Sequence, residues 1–129
     1  MSDAHSLARL ETVALVAIGG FAGSNVRFLS IGAFSDLQGI LLANVLGSAA
    51  LGFLVYEARY ADRFDRRTRL LVATGFLSSL TTYSGFAFHT ATAGSPELLL
   101  AFLAGNYGLG FAGVLLGREV ARRAGGDAS

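Results

Sequence analysis

GFLSSLTTYSGF, residues 75–86, is the stretch on which the fold turns. Within it, positions 78–84 hold six polar side chains, Ser78, Ser79, Thr81, Thr82, Tyr83 and Ser84, interrupted only by Leu80. This cluster lies inside a long apolar run near 70–90. With about 100° between successive residues, it covers every face of a helix and cannot be hidden from lipid as one stripe. The segment is therefore either buried all round or broken. At membrane depth, broken helices occur where freed carbonyls and amides line a cavity or bind an ion.

Three further apolar stretches, near 10–29, 39–56 and 98–116, accompany the one near 70–90. Each is close to the ~20 residues that cross a hydrocarbon core. The first and third carry glycine or polar interruptions. The composition agrees: 53% hydrophobic and 15% charged residues, with a mean hydropathy of +0.55, point to the bilayer as solvent. Of the seventeen glycines, twelve lie inside these apolar stretches rather than in linkers. In lipid, small residues let helix backbones approach closely. The expectation is an all-α membrane protein, one integral membrane domain over residues 1–129, with four transmembrane helices and a break in the third. Arg9 before an apolar run and Ala22, Gly23 and Ser24 after it also fit the outline of a signal peptide. That reading would discard Gly19, Gly20 and Gly23, which suit helix contact.

The ten basic residues are all arginine, and nine of them flank one side. Arg9 precedes the first span, Arg59, Arg63, Arg66, Arg67 and Arg69 join the second to the third, and Arg118, Arg122 and Arg123 follow the fourth. The other two connections, near 32–38 and 91–97, have neither arginine nor lysine. Cytoplasmic flanks carry the excess of basic residues, so both termini are expected in the cytoplasm, with the chain multi-pass in the cytoplasmic membrane. A net charge of +1 is too balanced to suggest nucleic acid as a partner.

Polar groups at membrane depth are few elsewhere: Ser24, Asn25 and Arg27 in the first span, Asn44 and Ser48 in the second, Asn106 and Tyr107 in the fourth. Asn44 and Asn106 suit either interhelical hydrogen bonding or function. Arg27 suits an interfacial anchor as well as a functional charge. Glu11, Glu57, Glu97 and Glu119 all fall at or beyond the span ends, which argues against a proton-coupled relay. His5 and His89 stand without a nucleophile or metal set, there is no cysteine, and no enzyme is expected.

These motifs, in order, resemble the Fluc (CrcB) fluoride channel family across roughly residues 19–117. GGFAGSNVRF (19–28) is similar to the family's glycine-rich stretch ending in arginine. ANVLGSAALG (43–52) resembles its asparagine followed by Gly-Ser and a later glycine, and GFLSSLTTYSGF resembles its GxxGGxTTFSTF break. Asn106, Gly110, Gly113 and Gly117 follow its fourth span. The resemblance implies a fluoride-selective channel that lets cytoplasmic fluoride leave down its gradient. It also implies two chains packed as an antiparallel dual-topology dimer, with a structural sodium ion (Na+) at the dimer centre. By position, Asn44 is the pore-lining amide donor and Arg27 draws anions to the vestibule. Tyr83 and Phe86 take the places of two aromatics whose ring edges contact fluoride. Ser84 and Thr82 belong to a neighbouring polar track, Asn106 stands beside the pore, and the backbone carbonyls of Ser78 and Thr81 coordinate the sodium. The chain departs from the family pattern at Ser78 and Ser79 (glycines), Tyr83 (phenylalanine) and Gly85 (threonine).

Two other readings compete. A small multidrug-resistance-type exporter needs an embedded acid in the first span, where Glu11 lies near the interface. A non-transporting membrane assembly subunit leaves the polar break without a purpose. The one-sided arginine bias also suggests a fixed orientation, so the antiparallel partner is either a second copy or an inversely oriented homologue.

Overall fold

The structure, a computed structural model, describes residues 2–126. It is helical throughout: α1 (Ser2–Ala33), α2 (Asp36–Tyr60), α3 (66–80), α4 (Tyr83–Ala91) and α5 (Pro96–Gly126). With α3 and α4 taken together, the described residues contain four segments long and apolar enough to cross a membrane, and each expected stretch lies within one of them. Many large apolar side chains face outward, among them Phe21, Phe28, Leu100, Phe111 and Leu115, as expected of a multi-pass membrane protein.

Short polar residues start the helices. Ser35 accepts from the Gln38 N–H at 3.3 Å, Asp65 from Thr68 at 2.9 Å and Ser95 from Leu98 at 3.1 Å, each covering a donor that lacks an intrahelical partner. Pro96 follows Ser95 at the first position of α5, where its missing N–H costs nothing.

Glycines govern how close the helices come. A Cβ on Gly19 would overlap the Leu71 carbonyl oxygen, and one on Gly23 would overlap that of Phe76, so α1 lies directly on the α3 backbone. The glycine cluster expected to interrupt the first span does not break it, since α1 runs continuously from Ser2 to Ala33. Tight contact with α3 replaces the packing a side chain would give. On the other side, Gly52 sits 2.7 Å short of the Val114 carbonyl oxygen, measured from its would-be Cβ. A Cβ on Gly117 would overlap the Ala49 carbonyl, which closes α2 onto α5.

Two apolar cores result. Ala43, Leu54, Leu77 and Leu80 form one, and Ile40, Phe86 and Phe102 form the other. Leu80 ends the first and Phe86 belongs to the second, so the polar residues between them lie where one core gives way to the next.

At the arginine-rich end the charges pair locally. Glu57, near the end of α2, is only 3% exposed, deeper than its place in the sequence suggests. It accepts from the Arg63 N–H at 2.6 Å and pairs with Arg69 at 3.2 Å, while Arg69 also reaches Asp62 at 3.0 Å. Arg67 pairs with Glu11, and Arg66 donates to the Thr12 hydroxyl at 2.9 Å, so the start of α3 is tied to α1. Arg63 donates to the Ala124 carbonyl at 3.0 Å and ties the loop between α2 and α3 to α5.

Candidate functional site

The third span breaks at two residues. Thr81 (φ −78°, ψ 153°) and Thr82 (φ −145°, ψ 121°) are extended, between the end of α3 at Leu80 and the start of α4 at Tyr83. Before the break, α3 widens into π-helical geometry over Leu70–Leu77, a form common at functional positions. Of the two readings the polar cluster allowed, the broken backbone is the one adopted.

An extended residue at this depth must pair its backbone elsewhere. Asn44 meets that need for Thr82: its Oδ1 accepts from the Thr82 N–H at 2.8 Å and its Nδ2 donates to the Thr82 carbonyl at 3.2 Å. This two-point contact fixes the orientation of the Asn44 amide, because a flipped amide would face acceptor with acceptor and donor with donor. The other Nδ2 hydrogen goes to Asn106 Oδ1 at 3.1 Å, and Asn106 donates to the Phe102 carbonyl at 3.0 Å. Asn106 stands in a second π-helical turn, Gly105–Leu109 of α5. Both asparagines are thus interhelical bridges, whatever further part they play.

Thr82 then starts α4. Its Oγ1 accepts from the Gly85 N–H at 3.0 Å and lies 3.2 Å from the Ser84 hydroxyl. Thr82→Val keeps the β-branched shape and removes this cap, so a loss of ~1 kcal/mol is expected, read as a lower midpoint of thermal unfolding in detergent. The glycine at 85 fits its surroundings, since a Cβ there would lie 3.0 Å from the Thr82 methyl and 3.1 Å from Ile40 Cδ1. Space that a threonine would need is already filled. Similarly, a Cβ on Gly47 would overlap the Thr81 methyl, so that glycine lets α2 lie against the break.

The carbonyls at the break differ in state. Thr81 O accepts from Arg27 Nη1 at 3.3 Å. The Thr81 N–H pairs with Leu77 and the Thr82 N–H with Asn44, so the turn that would cover the Ser78 carbonyl is missing. The Ser78 and Thr81 hydroxyls fold back onto their own helix, Ser78 to Thr74 O and Thr81 to Leu77 O.

Asn44, Ser78, Thr81, Thr82, Tyr83, Phe86 and Asn106 all line one open cavity of about 440 Å³. Of the residues expected at the site, Ser84 and Arg27 do not line it: Ser84 touches it through Thr82, and Arg27 reaches the break from α1. Phe86 is 8% exposed and is held by rings on two sides, stacked on Phe102 at 5.6 Å and edge-to-face with Tyr107 at 5.5 Å. Tyr83 lies 5.9 Å from Phe86 yet is 76% exposed, which leaves most of its ring available to whatever closes the cavity. Tyr107 and Ser48, also in the lining, were noted in the sequence only as polar residues in apolar spans. Its edge-to-face contact with Phe86 and its contact with Phe111 at 6.3 Å mark Tyr107 as part of the site, and neither is visible in the sequence.

A broken membrane helix pinned by asparagines, bordered by aromatic edges and packed through glycines, has counterparts in known sequences. Residues 14–118 match the family described as "CrcB-like protein, Camphor Resistance (CrcB)". The chain is 52% identical over 122 residues to the "Fluoride-specific ion channel FluC 1" of Haloarcula marismortui, covering 95% of this chain and 94% of that one. It is 45% identical over 118 residues to "Fluoride-specific ion channel FluC 2" of Halobacterium salinarum, covering 91% of each. A further relative, "Fluoride-specific ion channel FluC" of Roseiflexus sp., is 39% identical over 116 residues, covering 83% of this chain and 94% of its own length. The match takes in all four spans and the break between α3 and α4, and the chain belongs to the CrcB-like family.

Proposed function

We propose that this chain is a subunit of a fluoride-selective channel, which lets fluoride leave the cytoplasm down its electrochemical gradient. The observation that carries the reading is the break at Thr81 and Thr82, pinned by Asn44 and opening onto a cavity edged by Tyr83 and Phe86. Fluoride is a small hard anion, so a dry path must replace its water with N–H and O–H donors and with the positive edges of aromatic rings. Asn44, the Thr82 and Ser84 hydroxyls, Tyr83, Phe86 and Asn106 supply those groups. Both Nδ2 hydrogens of Asn44 are engaged in the single chain. Fluoride takes the place of Asn106 Oδ1 as acceptor, one hydrogen bond exchanged for another. Arg27, kept at the border, attracts anions without trapping them in the path.

The same break supports a structural sodium ion. Carbonyl oxygens are hard ligands that suit such a cation, and the uncovered Ser78 carbonyl with that of Thr81 provides two per chain. Two chains packed antiparallel would bring four together, and sodium, when bound, supplies a fixed positive charge joining the two breaks. The exposed Tyr83 ring fits such an arrangement, in which the second chain closes the cavity.

The arginine-rich end is assigned to the cytoplasm, along with both termini. The antiparallel partner is a second copy of this chain or an inversely oriented homologue, and crosslinking of the chain expressed alone separates the two. Glu57 does not favour proton-coupled export, because Arg69 and the Arg63 N–H already hold its carboxylate.

The test is fluoride efflux from liposomes holding the purified chain, followed with a fluoride electrode beside a chloride control. Selective efflux is expected, with most of it lost in Phe86→Ile, which removes the ring edge and its contact with Tyr107. An absence of efflux from the chain alone and from the chain coexpressed with an inversely oriented homologue would overturn the reading.

A further inference from the structure

Gly19, Gly23 and Arg27 follow one another at intervals of four along one face of α1. The two glycines bring that face down onto the α3 backbone. One turn beyond Gly23, α3 has ended, and the stripe places a guanidinium where the glycines placed bare backbone. Arg27 Nη1 meets the Thr81 carbonyl there, in a half-buried setting, and no carboxylate pairs with Arg27 among the described residues. Its position suits a cation: carbonyls at a helix C-terminus carry partial negative charge, and here the continuing backbone has turned away to Asn44.

We propose that Arg27 is a tethered cation that competes with sodium for the Thr81 carbonyl, holding that oxygen in the lone subunit and withdrawing when two chains assemble around the metal. The inference rests on the sodium reading above. A carbonyl has two lone pairs, so geometry alone does not forbid both partners. Charge opposes them: at an effective dielectric near 20, two unit charges ~5 Å apart weaken each other's binding on the order of 100-fold. Release from Thr81 also frees guanidinium donors, so assembly would provide the anion-attracting charge at the step that completes the conduction path. A subunit without a partner keeps its Thr81 carbonyl capped.

Equilibrium binding of radioactive sodium to the purified full chain tests this, comparing wild type with Arg27→Met, Arg27→Gln and Arg27→Lys at fixed pH, with helicity checked for each. The two neutral variants should bind sodium about tenfold or more tightly than wild type, and Arg27→Lys, which keeps the charge, should stay within about threefold of it. Two neutral variants of different shape keep the test usable if one fails to fold. Equal or weaker sodium binding by a folded neutral variant would overturn the competition and leave the sodium site standing. No sodium bound by any of the four proteins would overturn both.

Discussion

Asn44→Asp is expected to lower fluoride efflux more than about 100-fold while leaving the chain helical and membrane-inserted. The change is nearly isosteric and keeps the acceptor for the Thr82 N–H, so it isolates the two Nδ2 hydrogens. Both of their acceptors, Thr82 O at 3.2 Å and Asn106 Oδ1 at 3.1 Å, would face a carboxylate oxygen. Each pairing turns from attraction to repulsion in a poorly solvated place, at ~1–3 kcal/mol per unsatisfied group. Protonation could restore one donor, but not two. Thr82 would then lose the contact that fixes its carbonyl, and a negative charge would stand where fluoride has to pass. Hydrogen exchange separates the two consequences. Faster exchange at the Thr82 to Gly85 amides would mark a loosened break, whereas loss of efflux with unchanged exchange would mark charge repulsion alone. Efflux within about threefold of wild type would remove Asn44 from the path.

The break itself was legible in the sequence because period and depth conflict there: six polar side chains in seven positions have no lipid-facing solution on a helix. Which two residues leave the helix was not. Thr81 and Thr82 are singled out by Asn44, which lies 38 residues earlier and satisfies one backbone unit only. Arg27 shows the same limit, since its contact with Thr81 spans 54 residues and depends on how far two glycines let α1 descend. Glycine abundance announced close packing, while the pairing of α1 with α3 and of α2 with α5 came from which backbone each glycine meets. Glu57 looked like an end residue because its partners, Arg63 in the following loop and Arg69 in the first turns of α3, fold back over it. Gly85 looked like the loss of a hydroxyl, yet Ile40 and Thr82 fill its place.

The glycine stripe gives the largest expected change in stability. Gly23→Ala adds one methyl group, and in a water-soluble helix that change would normally stabilise by ~1 kcal/mol. Here the methyl would overlap the Phe76 carbonyl oxygen and sit 3.0 Å from Phe76 C and 3.1 Å from Leu80 N. These are backbone atoms of a packed helix, so no side-chain rotation relieves the contact, and α1 must lift away from α3. Overpacking costs ~1–3 kcal/mol where side chains can give way, so a loss at or beyond the top of that range is expected. Gly32→Ala is the internal control: it is on the same helix, with nothing within 4 Å of the added Cβ, and should be neutral or slightly stabilising. Unfolding midpoints of the two variants in one detergent test the argument, and similar midpoints would show that α1 does not lie directly on α3. Displacement of α1 also carries Arg27 away from Thr81, because both residues belong to one stripe. Gly23→Ala should therefore increase sodium binding per folded chain even as it lowers stability, a pairing of effects that general destabilisation does not produce.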